Sequence, residues 1–326
     1  MSERALKRIP LEKFMDLKVD YSFKQLFGTE KNKAITVVFL NAILKRTDRK
    51  AIKEVAFTSQ EVGGEYDGDK QSRLDILVRT QEDELINIEV QVTNQYDMVK
   101  RTLYYWARVY NLQLKKGKGY HTLLPTITII ICNFGLFDET EKFHNTFHLY
   151  EREEQFRMDD VMEIHFIEMN KFIKQWYEKQ LDPLDDVLAR WLLLLGMVDG
   201  RKKKVYNEIY EELEALAMED KDLQDAFGVW QDLSRSQEET LAYESRLKYI
   251  MDEEAKLDDA KYFAQKEGRQ KGLEAGIEKG IEKGIEVAMI KVAKKMMKKG
   301  ESNEEIMDVT DLTLEVVEEL RVHVSQ

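Results

Sequence analysis

The chain has 326 residues, a hydrophobic content of 43%, a charged content of 34% and a formal net charge of −12. This length allows one large domain or two ordinary ones, and without a run of about 18 apolar residues no membrane span is expected. The start, Met1 to Arg4, lacks the apolar stretch of a secretory signal. Cys132 is the only cysteine, which excludes an internal disulfide and predicts a cytoplasmic location.

The first half of the chain predicts a mixed α/β core of about 170 residues, because hydrophobic periodicity changes between helical and strand spacing along it. A polar stretch at 79–84 joins two of the strands as a turn. The predicted elements, in chain order, are a helical region at 20–45, strands at 52–57, 73–78 and 85–92, a helix at 98–116, a strand at 126–134 and a candidate extra strand at 162–166.

Beyond residue 170 the sequence predicts helices almost to the end, and only three prolines occur in the whole chain. The segment 187–198 is strongly apolar and is expected to pack on the core. We therefore predict an α/β core followed by a long all-helical C-terminal region. The predicted domains are 1–170 as the core, 171–266 as a helical extension and 267–326 as a glycine-repeat helix or linker with a small helical tail that resembles a helix-turn-helix unit.

Charge is divided unevenly between the halves. Residues 1–150 hold 23 Lys and Arg against 20 Asp and Glu, a net charge of +3, whereas residues 151–326 hold 27 against 42, a net charge of −15. A strongly acidic chain is a poor candidate for nucleic-acid binding through bulk charge. The mildly basic first half keeps nucleic-acid binding open, and the acidic half favours solubility or protein contact.

A short repeat in the tail places a glycine at every fourth position. In a helix these glycines cost up to about 4–5 kcal/mol relative to alanine. Two interpretations stay open: close approach of the same helix in a second copy of the chain, giving a homodimer, or a flexible charged linker with partial helicity. The Glu and Lys of the repeat exclude a membrane-embedded version. The glycines are Gly268, Gly272, Gly276, Gly280 and Gly284.

Two carboxylates occur in the predicted hairpin. If the hairpin is symmetric about Glu82, Asp75 lies opposite Glu89 and Ile76 lies opposite Ile88. Directly opposed residues have Cβ atoms roughly 5 Å apart, and two carboxylates at that distance repel each other. A divalent cation converts this repulsion into a binding site, and Mg²⁺ typically takes one or two protein carboxylates plus waters.

Strand alternation assigns the hairpin side chains to two faces. Asp75, Glu89 and Gln91 share one face, where the backbone carbonyl of Val90 adds an oxygen ligand and the Gln91 amide orients water or phosphate. The opposite face is expected to lie toward the core; its members are Leu74, Ile76, Val78, Ile86, Ile88, Val90 and Val92.

These residues resemble a known family. Asp75 followed by Glu89-Val90-Gln91, within helix–strand–strand–strand–helix–strand order, is similar to the PD-(D/E)XK nuclease superfamily. More narrowly, the stretch from Asp20 to Phe27, the Arg101 to Tyr105 segment and the glycine-repeat tail resemble its recombination-promoting nuclease and transposase branch (Rpn-like). The resemblance covers most of the chain and is strongest over 20–135. It implies a restriction-endonuclease-like mixed sheet as the core.

The resemblance also implies an activity, namely Mg²⁺-dependent cleavage of DNA phosphodiester bonds, with Mn²⁺ able to substitute. Asp75 and Glu89 would bind the metal, with Asp20 adding a carboxylate from the first helix. Gln91 stands where the superfamily usually has a lysine, a departure that this branch shares. Lys24 would contact DNA. Arg101 and Tyr105 would either contact DNA or brace the carboxylates.

Each assignment has a plainer alternative. Asp75 and Glu89 fit ordinary solvated strand positions, Asp20 fits a helix N-cap, and Lys24 and Arg101 fit surface residues. For the whole chain, the alternative is a catalytically weak or inactive nuclease-fold protein that acts as an interaction or DNA-associated scaffold. A nucleotide cofactor is not expected, because the sequence contains no Gly-x₄-Gly-Lys-Ser/Thr loop.

Overall fold

The structure is a computed structural model that describes residues 9–59, 61–62, 72–94, 97–114 and 117–324. The chain separates into two compact units, Met1–Asp252 and Glu253–Gln326. None of the helices among the described residues combines the length and the apolar composition that a membrane span needs.

The first unit begins with interspersed helices and strands and ends with consecutive helices. The strands are β1 (Val55–Phe57), β2 (Glu61–Val62), β3 (Ser72–Arg73), β4 (Ile76–Thr80), β5 (Leu85–Gln91), β6 (Thr126–Cys132), β7 (His144–Phe147), β8 (Met162–Glu168), β9 (Val198–Asp199) and β10 (Lys204–Val205). The helices are α1 (Asp20–Phe27), α2 (Lys33–Leu44), α3 (Met98–Asn111), α4 (Met169–Tyr177), α5 (Val187–Gly196), α6 (Asn207–Leu216), α7 (Lys221–Arg235), α8 (Gln237–Lys299), α9 (Asn303–Thr310) and α10 (Leu314–Val324).

The main sheet has six strands in the order β1-β4-β5-β6-β8-β7. Strands β5, β6 and β8 are parallel, while β1, β4 and β7 pair antiparallel with their neighbours. All seven residues of β6 are buried, as expected for a β-branched run covered on both faces. The predicted mixed α/β core with a helical C-terminal region is confirmed.

The two faces of the sheet are covered by different helices. Ile76, Ile88 and Val90 pack on a large cluster that includes Phe27 of α1, Phe39 of α2 and Trp191 of α5. Helix α3 covers the other face, where Tyr105 and Val109 pack on β4 and β5, and Met98 packs on β6 and β8. The apolar segment 187–198 packs on the core, as predicted, since most of α5 is buried.

Some element boundaries differ from the predictions. The region 20–45 forms two helices, because α1 ends at Gly28, whose N–H donates to the Lys24 carbonyl at 2.8 Å. A Cβ at position 28 would lie 2.8 Å from that same carbonyl oxygen, so glycine is required by the close backbone approach. The candidate strand at 162–166 is confirmed as β8. The edge strand β7 was not predicted, since the sequence His-Asn-Thr-Phe lacks clear apolar alternation.

A buried ion pair ties the segment before α1 to the helical extension. Lys18 Nζ lies 2.7 Å from Asp16 Oδ1 and donates to the Leu195 carbonyl at 2.9 Å. Asp16 Oδ2 accepts from the Gly200 N–H at 2.9 Å. Both side chains are almost fully buried, so each charge depends on the other for compensation.

The second unit contains the last part of α8 together with α9 and α10. Ala293, Met297, Ile306 and Val317 form its small core. Ser302 and Glu305 form a capping box, which begins α9. The segment 290–299 is the end of α8, and α8 is helical through all five repeat glycines.

Candidate active site

The register of the hairpin places the two carboxylates side by side. Ile76 pairs with Ile88 and Val78 with Ile86, as the symmetric hairpin predicts. Asp75 directly precedes β4, and Glu89 directly follows Ile88 in β5. The two acidic residues therefore meet where the β4–β5 ladder ends.

A bend at Asp75 replaces backbone pairing by side-chain hydrogen bonds. The Val90 N–H donates to Asp75 Oδ2 at 3.0 Å, and the Asp75 N–H donates to Glu89 Oε1 at 3.2 Å. Each carboxylate thus accepts from the backbone on the other side of the hairpin. This reciprocal arrangement orients both side chains, since a carboxylate that accepts a backbone N–H loses rotational freedom.

The bend also changes which face Leu74 occupies. We predicted Leu74 on the same face as Ile76 and Val90, but it packs with Leu77, Leu85 and Tyr105 beneath α3. Strict alternation fails because Asp75 interrupts the strand between β3 and β4. The assignment of Leu74 was therefore wrong, while Ile76, Val78, Ile86, Ile88 and Val90 lie on the predicted face.

Both carboxylates are buried, with Asp75 6% exposed and Glu89 2% exposed. Burial, followed by the negative charge of Asp75, raises the pKa of Glu89 to about 8. Burial also raises the pKa of Asp75, and the ammonium group of Lys24 opposes that effect. Two adjacent buried acids with perturbed pKa values are typical of a functional site.

Lys24 places a positive charge next to the Asp75 carboxylate. Its Nζ lies 2.9 Å from Asp75 Oδ1, and its side chain is 25% exposed. Helix α1 therefore contributes a lysine to the carboxylates from outside the hairpin. The sequence suggested Lys24 as a DNA contact but did not indicate this ion pair, because no short spacing links residue 24 to residue 75.

Asp20 is the first residue of α1 and binds elsewhere. Arg246 of α8 donates from Nε to both oxygens of Asp20, at 2.8 and 3.0 Å. The charge of Asp20 still raises the pKa of Asp75, so the two carboxylates are within electrostatic reach. Arg246 was not identified from the sequence, since nothing in α8 marks it for this role.

Arg101 and Tyr105 lie on α3 beside Glu89. Arg101 Nε donates to Tyr105 Oη at 3.2 Å, with the guanidinium 5.2 Å from the ring centroid. The charge of Arg101 opposes the rise in the pKa of Glu89. Tyr105 is only 9% exposed and packs on Leu74 and Leu77. This geometry favours the bracing role for Tyr105 over direct DNA contact.

Val90 and Gln91 complete the end of β5. The N–H and C=O of a strand residue lie on the same side of the strand, so the Val90 carbonyl faces the edge where its N–H binds Asp75. The Gln91 carbonyl accepts from the Asn133 N–H at 2.9 Å, which anchors this end of β5 to the end of β6. The Gln91 side chain is half-buried.

The donor set suits a hard divalent cation. In the described part of the chain, no group of three or more His, Cys, Asp and Glu side chains is arranged as a metal site. Two adjacent carboxylates, a backbone carbonyl and water form the oxygen shell that Mg²⁺ accepts. The single charge of Lys24 at Asp75 cannot compensate both buried carboxylates, so the residues fit such an ion.

The chain matches a known protein family. A family model described as PD-(D/E)XK nuclease family transposase matches residues 17–260, which include α1, the whole main sheet and the start of α8. No curated protein and no solved structure matches the chain. The matched region covers well over half of the sequence and contains the carboxylate pair. The chain therefore belongs to the PD-(D/E)XK nuclease family transposases.

Proposed function

We propose that the protein is a metal-dependent DNA endonuclease that cleaves phosphodiester bonds in a transposition or recombination process. The observation that supports this most is the buried pair of Asp75 and Glu89, with reciprocal hydrogen bonds across the hairpin. A bland structural sheet avoids two adjacent buried acids, because burying uncompensated charge is costly.

Asp75, Glu89 and the Val90 carbonyl are the proposed ligands of Mg²⁺, with Mn²⁺ able to replace it. A bound ion neutralises charge on the phosphate and lowers the pKa of a water. The reciprocal backbone hydrogen bonds hold both carboxylates in place before the ion binds. Asp20 joins this shell only when Arg246 releases it, since Arg246 occupies both of its oxygens.

Lys24 is proposed to carry the positive charge that Gln91 lacks. The Gln91 amide orients water or phosphate by hydrogen bonding but is neutral. Lys24 Nζ already lies at Asp75, where an ammonium group stabilises negative charge that develops on a phosphate. In this proposal, Lys24 of α1 stabilises the charge on the phosphate, as the lysine of the motif does in related sites.

DNA is the proposed partner of the face around α3. This helix carries Lys100, Arg101 and Arg108 and contains no acidic residue, in contrast to the chain as a whole. Phosphate binding depends mainly on such clustered positive charge. Arg101, whose charge acts on Glu89, is proposed to contact DNA, and Tyr105 holds its guanidinium by accepting a hydrogen bond from Nε.

A scaffold without strong catalysis is the second candidate. Lys24 pairs with Asp75 in the way that a bound cation would, and Gln91 removes a charged catalytic group. The ion pair lowers the need for a metal, and the neutral Gln91 weakens catalysis. The glycine-repeat helix adds a proposed contact surface for a second copy, with Ile277, Ile281 and Ile285 each more than half exposed. Light scattering on the full chain and on I277E/I281E tests that homodimer.

The cytoplasmic location belongs to the same proposal and rests on a single buried thiol, Cys132, in place of disulfides. Fractionation of cells that produce the full chain tests it, and recovery outside the cytoplasm would contradict it.

Nicking of supercoiled plasmid in Mg²⁺ or Mn²⁺ tests the nuclease proposal. We expect D75N and E89Q to lower the rate by at least about 100-fold, because each removes a ligand charge. D83N is the matched control, since Asp83 lies in the same hairpin but its side chain is 65% exposed. Equal nicking by D75N, E89Q and wild type would show that the cleavage comes from a contaminant and would favour the scaffold.

A further inference from the structure

A second polar cluster lies on the opposite face of the sheet from Glu89, at the edge formed by β7 and β8. A cleft of about 470 Å³ opens there between these strands, the end of α2 and the beginning of α5. The size falls in the range of small-molecule sites, roughly 300–1,000 Å³. The polar residues that carry the argument are Lys45, Lys142, His144, Glu163, His165 and Asp186.

Glu163, His165 and His144 form a chain of hydrogen bonds. His165 Nε2 lies 2.7 Å from Glu163 Oε1, and His165 Nδ1 lies 2.8 Å from His144 Nε2. An ionised carboxylate only accepts, so His165 Nε2 carries the proton of that bond. In neutral His165, Nδ1 then accepts from the His144 Nε2–H. His144 is left with one ring nitrogen, Nδ1, that carries no proton.

Both carboxylates of the cleft are engaged by other groups of the protein. The Asp186 carboxylate caps α5 by accepting from the Leu188 and Ala189 N–H groups, and Glu163 is bound to His165. Neither Lys45 nor Lys142 has an ion-pair partner among the residues described. The charged and titratable groups that line the cleft around His144 are His165 and Glu163 of β8, Lys45 after α2, Lys142 before β7 and Asp186 before α5. Arg157 also faces this group of side chains, with a guanidinium nitrogen 3.7 Å from Glu163 Oε2.

We propose that this cleft binds a phosphate-type oxyanion between Lys45, Lys142 and His144. Binding is coupled to uptake of one proton at His144 Nδ1, which turns that nitrogen from an acceptor into a donor. The added positive charge is shared with His165 through their hydrogen bond and balanced by the Glu163 carboxylate. In the absence of an anion, burial and then the charge of His165 lower the pKa of His144 to about 4, so His144 is neutral near pH 7.

This site is separate from the proposed nuclease centre. His165 lies on β8, two strands away from β5 in the sheet order, and its side chain faces the α2 and α5 side. Substitutions at Asp75 therefore leave the cleft unchanged. The chemistry accepts inorganic phosphate, a nucleotide phosphate or the backbone of DNA, and competition between these probes distinguishes the sources.

Isothermal titration of the full chain with sulfate and with inorganic phosphate, without divalent cations, tests the proposal. Sulfate keeps its charge between pH 5.5 and 7.5, so any pH dependence of its affinity reports on the protein. We expect one site whose Kd falls by up to about tenfold per pH unit as pH decreases, as coupling to one proton requires.

Variants separate the cleft from other lysines. We expect H144Q to abolish the pH dependence, and K45N and K142Q each to weaken binding by about fivefold or more. Asn is chosen at position 45 because Lys45 has φ 51°, a region that Asn tolerates. K118Q, an exposed lysine outside the cleft, and D75N are expected to bind like wild type.

Three results would overturn the proposal. They are the lack of saturable binding, unchanged affinity in K45N and K142Q, and a pH dependence that persists in folded H144Q. If H144Q fails to fold, the two lysine variants still decide the outcome, because both positions are exposed. Displacement of bound sulfate by a deoxynucleoside monophosphate or by duplex DNA then supports the site and names the source of its anion.

Discussion

The Asp75 and Glu89 carboxylates are each oriented by a backbone N–H on the opposite side of the hairpin. The Val90 N–H and the Asp75 N–H each donate to a carboxylate across the hairpin. The pair is therefore preorganised but poorly compensated in charge, with Lys24 as its nearest cation. This is the combination that a cation site on a sheet requires.

The pKa of Glu89 predicts how stability depends on pH in the absence of divalent cations. Its folded-state pKa, about 8, lies above the ordinary value of 4.5, so the folded protein binds the proton more tightly than the unfolded chain. Stability is then greatest at low pH with respect to this group and falls as pH rises from about 4.5 to 8.

Thermal unfolding in EDTA across that range measures this effect. We expect Tm to fall by about 5 °C or more through the Glu89 contribution, E89Q to flatten the decline, and Mg²⁺ to raise Tm more at pH 8 than at pH 6. An E89Q profile that parallels D83N and wild type would contradict the assignment.

Lys24 offers a prediction that separates catalysis from metal binding. In K24Q the ammonium group that shares Asp75 is lost, so the Mg²⁺ concentration at half-maximal activity stays the same or falls. The nicking rate at saturating Mg²⁺ falls by about 10- to 100-fold, because a charge on the phosphate is missing. K24R is expected to recover part of the rate. A K24Q enzyme with a normal maximal rate would remove Lys24 from the mechanism.

At the scale of elements, the sequence predicted the hairpin and its register but not the bend at Asp75. Polar residues at the turn and period-two alternation fix the register of β4 on β5, which places Asp75 next to Glu89. The bend that sends Leu74 beneath α3 leaves no pattern in the local sequence. The sequence also did not predict the contact of Lys24 with Asp75 or that of Arg246 with Asp20, because both contacts depend on how distant helices pack.

The repeat glycines of α8 give a prediction for that helix. Apart from the adjacent residues and the backbone of the helix itself, no atom lies within 4 Å of a Cβ placed at Gly276 or Gly280. G276A and G280A are each expected to stabilise the helix by about 1 kcal/mol, seen as a higher midpoint in thermal melts of the full chain followed by circular dichroism. G28A is the contrast, since its Cβ meets backbone at 2.8 Å, and it should destabilise by about 1–3 kcal/mol. If a second copy packs on the α8 surface that contains the repeat glycines, G276A/G280A also lowers the fraction of dimer.

At the scale of the whole molecule, the sequence predicted the class of architecture but not how its parts are joined. Alternating periodicity followed by uninterrupted helical patterns identifies an α/β core with a helical extension. The attachment of that extension to the segment before α1 depends on Phe14, which packs on Phe227 and Trp230, and on the buried pair of Asp16 and Lys18. Such contacts between residues about 200 positions apart have no local signature.

The Asp16–Lys18 pair predicts a large loss of stability when one partner is removed. K18M leaves the Asp16 carboxylate buried without its cation, and we expect the free energy of unfolding to fall by about 3–5 kcal/mol. The double variant D16L/K18M is expected to recover part of that loss, since no charge stays buried. Urea unfolding measures both, and a K18M loss below about 1 kcal/mol would show that the pair is well solvated.

The measurement that tests the account most directly is anomalous diffraction from crystals soaked in Mn²⁺. We predict one strong peak within about 2.0–2.6 Å of oxygens from both Asp75 and Glu89, with the Val90 carbonyl on the same ion. Crystals of E89Q should lack that peak. A well-occupied ion elsewhere, with the two carboxylates still bound only to protein, would contradict the proposed metal centre.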